Sequence, residues 1–456
     1  MRKLSAILVL FSVLQVQAQS DSAIIRSIYT QSLTAGKGYD WLEFLATRIG
    51  GRLSGSAEAA KAVKWAETTL NTIKPDAVYK QLCMVPYWKR GAAEKAFLIK
   101  GDKKTEVNIC ALGGSIATPK GGLTAEVVEI NSWDELKQLG EKNALKNKIV
   151  FYNMPWNQTH INTFEAYGAA VEPRWAGAFR AAPYGAVGVV VRSAASSVDA
   201  FPHTGSMSYK DSVNKIPACA ISTIHADLLS QQLKLRGMPQ VKFSFTQNCV
   251  QLPDTSSFNV IGEIQGSEFP DEIIVVGGHL DAWDNGQGAH DDGAGVVQCM
   301  EVLQIFKTLN IKPKRTIRCV LFMNEENGGR GGAKYASEAK LKNENHIAAI
   351  ESDAGGFVPR GFSFEGDSLA IAKIRSWQNL FTPYNIYSWD GYGSGADVGH
   401  LAGNCKVLMG LSPDSQRYFT LHHTAADTFD KVNKRELQLG AATMAAMVYL
   451  LSEYGL

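Results

Sequence analysis

Beyond residue 255 the chain alternates short apolar segments with helix-like segments, and this alternation constrains the fold most strongly. EIIVVGG is followed by a helix-like segment over GVVQCMEVLQIF, TIRCVLFM by another around AKYASEAK, and IAAIES supplies a further strand. Such alternation is typical of a mainly parallel sheet that is covered by helices on both faces. The last helix, from Arg435, should pack on this sheet through one apolar stripe, formed by Leu437, Met444, Met447, Val448 and Leu451.

The segment over 115–250 differs from the rest of the chain in its sequence pattern. Its short β-like segments, with glycine, alanine or proline between them, are TAEVVEI, KIVFYNM, AVGVVVRS and IPACAIS. It has no cluster of acidic and histidine side chains, and a chain of 456 residues is long for a single core. We therefore predict that 115–250 is a domain inserted between the two parts, 19–114 and 251–456, of a larger α/β domain. Helices are expected over 21–75 and short strands over 77–112.

Composition and charge exclude several classes of protein. Apolar residues make up 45% of the chain and charged residues 20%, as in an ordinary globular protein. The formal net charge is +2, and both excess cations lie in the first three residues. The rest of the chain gives no electrostatic reason to expect binding to nucleic acid or to an anionic membrane. The seven cysteines form no CxxC pair, which argues against a thiolate zinc site.

The first residues resemble a secretory signal. Arg2 and Lys3 precede an apolar stretch over 4–16, and small residues around Ala18 offer a cleavage site before Gln19. The alternative is an uncleaved membrane anchor, which needs about 20 apolar residues, and this stretch is shorter. We therefore predict a signal peptide over 1–18, export to the periplasm or out of the cell, and no membrane-spanning segment.

Metal-binding side chains follow the first of these apolar strands. His279 and Asp281 are two residues apart, so at a strand end both can point the same way. Asp281 could then accept a hydrogen bond from the second ring nitrogen of His279. In GAHDDGAG, one of Asp291 and Asp292 can cap the next helix, while the other can bridge two cations. His290, just before them, has no assigned role and is expected to lie in a solvated loop.

Two adjacent glutamates follow the next strand directly. Glu325 and Glu326 come after VLFM, where two like charges repel unless a cation or a proton offsets them. Alternation along the chain directs them differently, so one can bind metal while the other faces the substrate as a base. Asp353 closes IAAIESD, and His423 lies in HHTAADT. Three neighbours in that last loop are expected to organise it without touching metal: His422, Asp427 and Thr428.

Together these residues predict a hydrolytic site at one edge of the sheet. Open α/β sheets bind their ligands beyond the carboxyl ends of the strands. Two histidines and three carboxylates in that place can give each of two zinc ions mixed nitrogen and oxygen ligands, with a shared carboxylate and a water.

The motifs HxD, GAxDDGAG, NEE, ESDxG and HHTxxDT occur in this order and resemble those of the co-catalytic di-zinc exopeptidases, which include bacterial leucyl aminopeptidases and glutamate carboxypeptidases. With its signal-like start and inserted region, the chain is most similar to a secreted carboxypeptidase branch of that family. The resemblance implies a zinc-exopeptidase α/β/α sandwich with a mixed, mainly parallel sheet, an inserted α/β domain similar to a protease-associated domain, and a homodimer.

The resemblance also implies which residues hold the two zinc ions. Asp291 would bridge both ions. His279 and Asp353 would complete one site, and Glu326 and His423 the other.

The implied activity is hydrolysis of peptide bonds in short unblocked peptides or dipeptides. Glu325 would be the general base for a water between the zinc ions, and Asp281 would orient His279. Three alternatives stand beside this activity: aminopeptidase action on longer peptides, glutaminyl cyclisation with a single zinc ion, and binding without catalysis on a peptidase scaffold. The complete set of ligands and the base argue against the last two. Candidate pocket residues are Trp283, Tyr392 and Ser394.

Overall fold

The computed structural model describes residues 21–235 and 240–456, so the predicted signal peptide lies outside the described residues. The described chain forms two mixed sheets of eight strands each. The strands are β1 Ala77–Lys89, β2 Lys95–Lys100, β3 Lys103–Val107, β4 Ile109–Ala111, β5 Leu123–Ile130, β6 Ile149–Tyr152, β7 Gly188–Arg192, β8 Ala218–Ile221, β9 Lys242–Thr246, β10 Val250–Ile264, β11 Phe269–His279, β12 Arg315–Phe322, β13 Asn345–Glu351, β14 Pro359–Gly366, β15 Ser388–Tyr392 and β16 Cys405–Pro413. The helices are α1 21–35, α2 Gly38–Phe44, α3 Ala57–Ile73, α4 Trp133–Glu141, α5 Thr163–Ala170, α6 Glu172–Ala181, α7 Thr223–Lys234, α8 Ala294–Thr308, α9 Arg330–Leu341, α10 Ser368–Arg375, α11 Gln378–Phe381 and α12 Lys434–Tyr454.

The first sheet has a parallel centre with antiparallel pairs on either side, and its edge strand β15 runs parallel to β14. Its strand order is β1-β10-β12-β11-β13-β16-β14-β15. The four central strands β12, β11, β13 and β16 run parallel, whereas the pairs β1–β10, β10–β12 and β14–β16 are antiparallel. Every residue of β12 is buried, as expected for a strand that is covered on both faces. The sheet is therefore mixed, with the parallel centre that the sequence predicts.

Helices cover both faces of the first sheet. On one face, α12 packs on α8 and over β11 and β12. The predicted apolar stripe of α12 lies in this core, and its members are Leu437, Met444, Met447, Val448 and Leu451. On the other face, Tyr335 and Ala339 of α9 pack against Val320 of the sheet. The layers are thus helix, sheet and helix.

The second sheet takes its strands from the part of the chain between Lys95 and Thr246. Its order is β3-β2-β9-β5-β6-β7-β8-β4, with β5 to β8 parallel and the other strand pairs antiparallel. Three strands, β2 to β4, precede residue 115, so the hydrogen bonding of this sheet begins before the predicted start of the insert. At the other end, β10 starts at Val250 and belongs to the first sheet.

The predicted site residues lie at a single edge of the first sheet. Parallel register pairs His279, the last residue of β11, with Phe322, the last residue of β12. It also pairs Gly277 of β11 with Glu351, the last residue of β13. Because these three strands end together, the loops that follow them are brought side by side.

Candidate metal centre and active site

The five residues predicted to bind metal converge on Asp291. Its Oδ1 lies 3.3 Å from Nε2 of His279, and its Oδ2 lies 3.3 Å from Nε2 of His423. Oδ1 of Asp353 is 3.4 Å from Nε2 of His279, and Oε2 of Glu326 is 3.0 Å from Nε2 of His423. Asp291 therefore stands between two half-sites, one with His279 and Asp353 and the other with His423 and Glu326.

The donor set of this centre fits zinc. Ligand atoms of His279, Asp291 and Glu326 all lie within 4.8 Å of one another. Burial raises the pKa of Glu326 well above its usual range, and the nearby Asp291 raises it further. Burial also raises the pKa of Asp353. Carboxylates this close and this poorly hydrated need protons or a cation to offset their charge, and imidazole with carboxylate is a ligand set that zinc uses.

Both candidate ligand histidines are oriented by backbone carbonyl groups. Nδ1–H of His279 donates to the carbonyl oxygen of Asp281 at 3.0 Å, and Nδ1–H of His423 donates to that of Thr204 at 3.1 Å. These acceptors require the ring proton on Nδ1, which leaves Nε2 of each ring available to a metal ion.

The side chain of Asp281 makes different contacts from those that the sequence predicts. Its Oδ1 lies 3.9 Å from Nδ1 of His279, which is too far for a hydrogen bond. The same oxygen accepts from the backbone N–H groups of Asn324 at 2.7 Å and Glu325 at 3.1 Å. Asp281 therefore orients His279 through its backbone carbonyl, while its carboxylate fixes the segment that carries Glu325.

The adjacent aspartates have separate contacts. Asp292 accepts from N–H of Gly295 in the first turn of α8 and from N–H of His279, both at 2.9 Å. Asp292 is therefore the capping member of the pair, and it ties α8 to the end of β11. Asp427 accepts from N–H of Asp291 at 3.1 Å and so holds the backbone of that residue, which agrees with its predicted role in organising the surrounding loops.

The prediction of a solvated His290 is wrong. The side chain is buried and stacks on Phe357, with ring centroids 4.3 Å apart. Its Nδ1 accepts from N–H of Gly356 at 3.1 Å. The polar residues around it suggested an exposed loop, but the segment before α8 folds inward against the chain that follows β13.

His422 lies nearer to the centre than a loop-organising residue needs to be. Its ring stacks on that of His423, with centroids 3.6 Å apart, and its Nε2 is 3.8 Å from Oδ2 of Asp291. Because His423 reaches the same oxygen at 3.3 Å, the geometry favours His423 as the ligand and His422 as the ring that packs behind it.

Arg52, which the sequence does not single out, joins the loops that carry the ligands. Its guanidinium is fully buried and donates to the carbonyl oxygens of Leu280 at 2.6 Å, Gln287 at 3.0 Å and Gly288 at 3.0 Å. An isolated arginine between two helices belongs to no motif, so its part becomes apparent only in the folded chain.

Arg52→Met is expected to destabilise the protein by roughly 3–5 kcal/mol, because several buried carbonyl groups lose their donor and the neighbouring acidic side chains lose a cation. The measurement is the urea midpoint of unfolding of the zinc-free protein. Arg48→Met, at an exposed position of the same region, is the matched control and should change the midpoint little. Equal midpoints for the two variants would contradict the conclusion that Arg52 holds these loops together.

Residues of the second-sheet region close the cleft over the metal centre. Ser206 donates to the carbonyl oxygen of Glu326 at 2.8 Å. N–H of Thr204 donates to the carbonyl oxygen of His423 at 3.0 Å, in addition to accepting from its ring. Arg174 lines the cleft beside them. The sequence gives this region no site residue because its polar residues are scattered singly.

The cleft beside the ligands is small and partly aromatic. It has a volume of about 220 Å³ and an aromatic wall that includes Phe164, Tyr418 and Phe419. It shares Phe164 and Asp353 with a second cavity of about 510 Å³, so the two cavities adjoin.

Two of the three candidate pocket residues line the second cavity. Tyr392 and Ser394 lie on its wall, and Tyr392 is 86% exposed and thus available to a ligand. Trp283 is instead buried, with its ring edge-on to His423 at a centroid distance of 5.7 Å. It packs against the ring of His423 and lines neither of the two adjoining cavities.

The zinc-free protein is expected to lose stability as the pH rises from about 6.5 to 8. Burial, with Asp353 and Asp291 nearby, raises the pKa of Glu325 to about 8, and burial raises that of Asp427 to about 7. The folded state then holds protons that the unfolded state has released, so stability falls with rising pH, by on the order of 1–2 kcal/mol per group.

Buried histidines act in the opposite sense, but at lower pH. Burial lowers the pKa of His422 to about 3, so its contribution to stability increases with pH mainly below its ordinary pKa of 6.5 and levels off within about one pH unit above it. The measurement is the melting temperature at pH 6.5, 7.25 and 8, with chelator and with zinc. A smaller decrease with zinc is expected, since the cations offset the carboxylate charges. A melting temperature of the chelated protein that rises across this window would contradict the expectation.

Comparisons with known proteins match most of the chain. The family described as Peptidase family M28 matches residues 259–448. Carboxypeptidase Q of Homo sapiens is 35% identical over 417 residues, which cover 91% of this chain and 85% of that protein. The crystal structure of a peptidase M28 precursor from Shewanella amazonensis is 34% identical, with a TM-score of 0.89, and the match covers 95% of this chain and 97% of that one. A zinc aminopeptidase from Bacillus subtilis has the same fold at 19% identity, with a TM-score of 0.64 over 92% of this chain and 95% of that one.

Proposed function

Because the chain belongs to peptidase family M28 and is a zinc metallo-exopeptidase, we propose that it removes a terminal residue from short unblocked peptides, dipeptides among them. The observation that carries this proposal is the position of Asp291 between two half-sites, with Glu325 in the same cleft. Each half-site supplies one histidine and one carboxylate besides Asp291, which suits a pair of zinc ions.

The proposed ligands follow from these contacts. His279 and Asp353 would hold one zinc ion, Glu326 and His423 would hold the other, and Asp291 would bind both. When bound, zinc lowers the pKa of a water and polarises the carbonyl group of the peptide bond.

Glu325 is the general base of the proposed reaction. It lines the cleft with Asp291 and Asp353, and Asp281 holds its backbone N–H. Its carboxylate accepts a proton from the attacking water and then passes this proton to the leaving amine, so one side chain serves both steps. Its burial in the cleft keeps bulk water from taking this proton between the two steps.

The cleft favours short substrates. Its volume of about 220 Å³ is smaller than the volume of ordinary small-molecule sites, which is about 300–1,000 Å³. Phe164 lines both the cleft and the adjoining second cavity. The second cavity, with Tyr392 and Ser394, offers a place for one substrate side chain.

Two alternatives agree less well with the site. Glutaminyl cyclisation uses a single zinc ion, whereas both half-sites here have a complete set of ligands. A binding protein on this scaffold would not need a base, and Glu325 is present in the cleft. Aminopeptidase action on longer peptides is the alternative that the experiment below decides.

We also propose that the mature chain is exported, on the strength of the signal-like first residues. In the regions 21–235 and 240–456, no helix is long and apolar enough to cross a membrane. The homodimer and the protease-associated nature of the second-sheet region are proposals that rest on the family resemblance.

The experiment is release of free amino acids from a panel of unblocked dipeptides by the purified, zinc-loaded protein, with a chelated sample alongside. Hydrolysis is expected to stop on chelation and to return with added zinc. Longer peptides in the same panel test the aminopeptidase alternative. If protein shown to carry zinc cleaves no peptide in the panel, the proposed function is wrong.

A further inference from the structure

The carboxylate of Glu325 is held in the cleft by no hydrogen bond from the part of the chain that the structure describes. Glu326 beside it has two anchors: its Oε1 accepts from N–H of Trp283 at 3.2 Å, and its carbonyl oxygen accepts from the hydroxyl group of Ser206 at 2.8 Å. The direction of the Glu325 side chain therefore depends on the backbone that carries it.

Asn324, the residue before Glu325, is fully buried and is held at both ends of its backbone. Its φ of 76° lies in the left-handed region, which asparagine tolerates better than most residues. Its N–H donates to the carboxylate of Asp281 at 2.7 Å, and its carbonyl oxygen accepts from N–H of Gly329 at 2.6 Å. The chain thus leaves the direction of β12 at Asn324, immediately before the proposed base.

The side-chain amide of Asn324 joins this turn to a distant part of the chain. Its Nδ2–H groups donate to Oγ of Ser54 at 2.8 Å and to Oδ1 of Asn327 at 2.5 Å. Its Oδ1 accepts from N–H of Arg330 at 3.3 Å, in the first turn of α9. Ser54 in turn donates to Oδ1 of Asn327 at 2.8 Å. Both donors of the amide are therefore used, and its oxygen has a partner as well.

Ser54 provides a fixed point for this amide. It is fully buried and lies between α2 and α3, 270 positions before Asn324. The chain two residues earlier is attached to the loop after β11, since N–H of Arg52 donates to the carbonyl oxygen of Ala282 at 3.2 Å. Ser54 is not among the residues that line the cleft, so any effect it has on the reaction passes through Asn324.

We propose that Ser54 and Asn324 are positioning residues for the general base: the hydrogen bond between them fixes the turn, and the turn sets the place of the Glu325 carboxylate. This inference rests on the proposed function, in which Glu325 takes a proton from the attacking water. The carboxylate must then lie within about 2.6–3.2 Å of that water. A misplacement of about 1 Å that arises far from the reacting atoms can cost about 100-fold in rate.

The test removes each partner of this hydrogen bond. Ser54→Ala should lower kcat on unblocked dipeptides by about 10-fold, and Asn324→Gly by about 10- to 100-fold. Glycine is chosen at position 324 because it adopts a φ of 76° without strain, so that only the amide is lost. KM and zinc content should stay near their wild-type values, because neither side chain lines the cleft.

Ser56→Ala is the matched control, two residues along the same loop. Its hydroxyl oxygen accepts from N–H of Ala59 and caps α3, without contact to the turn before Glu325. This variant should lower the melting temperature and leave kcat unchanged. It therefore separates a general loss of stability from misplacement of the base.

A second measurement places Ser54→Ala in the Glu325→Gln background. If Ser54 acts through the base, the substitution should lower kcat in the wild type but leave the residual kcat of Glu325→Gln unchanged. Equal losses in the two backgrounds, or zinc lost in step with kcat, would overturn the proposal. If Asn324→Gly does not fold, Ser54→Ala decides: a kcat equal to that of Ser56→Ala counts against the positioning role. Absence of hydrolysis by the zinc-loaded wild type would instead overturn the proposed function.

Discussion

Glu325→Gln is expected to lower kcat on unblocked dipeptides by about 10²- to 10⁴-fold and to leave the zinc content unchanged. Glutamine has nearly the same size and retains hydrogen-bonding groups, but it cannot take a proton from water at neutral pH. The measurement is kcat and KM of the zinc-loaded variant, together with metal analysis. Little change in KM is expected, because the proposed base transfers protons during the reaction and does not hold the peptide in place before it.

The neighbouring Glu326→Gln is the matched control for this experiment. Its Oε2 lies 3.0 Å from Nε2 of His423, on the ligand side of the cleft. This variant should lose zinc affinity and activity together, and excess zinc should restore part of the activity. Near-normal turnover by Glu325→Gln would contradict its assignment as base. Loss of zinc from Glu325→Gln would instead make Glu325 a ligand.

That the candidate ligands at the strand ends meet in space could be predicted from sequence because a parallel sheet aligns them. His279 ends β11, Glu326 follows the adjacent parallel strand β12, and Asp353 follows β13 on the other side of β11. Apolar segments of strand length, each followed by a metal-binding side chain, therefore predict side chains that meet in space. The structure brings these residues together around Asp291.

Contacts that depend on the path of the backbone could not be predicted in this way. The orienting group of His279 is the carbonyl of Asp281, and every residue has such a carbonyl. His423 has a φ of 63°, in a region that few residues other than glycine adopt, and N–H of Thr204 holds it there from 219 positions earlier in the chain. No local pattern in the sequence indicates such a partner.

The contributions of the second-sheet region are harder still to infer from sequence. Arg174, Thr204 and Ser206 are common surface residue types that occur singly, so their surroundings in the sequence suggest ordinary loops and helices. They become site residues only because the two sheets meet at the cleft. A region without clustered acidic and histidine residues can therefore still provide contacts to the candidate metal centre.

Asp291→Asn and Asp292→Asn are expected to have different effects, although the two residues are adjacent. When a residue that only orients a metal ligand is replaced, zinc affinity typically falls by about 10- to 100-fold. Asp291→Asn should lower it by more than this, because the substitution removes a negative charge between the two half-sites. Activity should fall with the bound metal. Asp292→Asn should retain zinc and lose about 1–2 kcal/mol of stability, since an amide oxygen cannot replace both acceptors of the carboxylate.

Metal analysis by titration, with melting temperatures measured alongside, separates these outcomes. The contrast is informative because ligand atoms of Asp292, His279 and Asp353 also lie within 4.8 Å of one another, so proximity alone would permit Asp292 as a ligand. What favours Asp291 is the use of its two oxygens: Oδ1 faces His279 and Oδ2 faces His423, whereas both oxygens of Asp292 accept backbone N–H groups. If Asp292→Asn lost zinc and Asp291→Asn retained two ions, those backbone bonds would have to break when metal binds, and the centre would be built around Asp292.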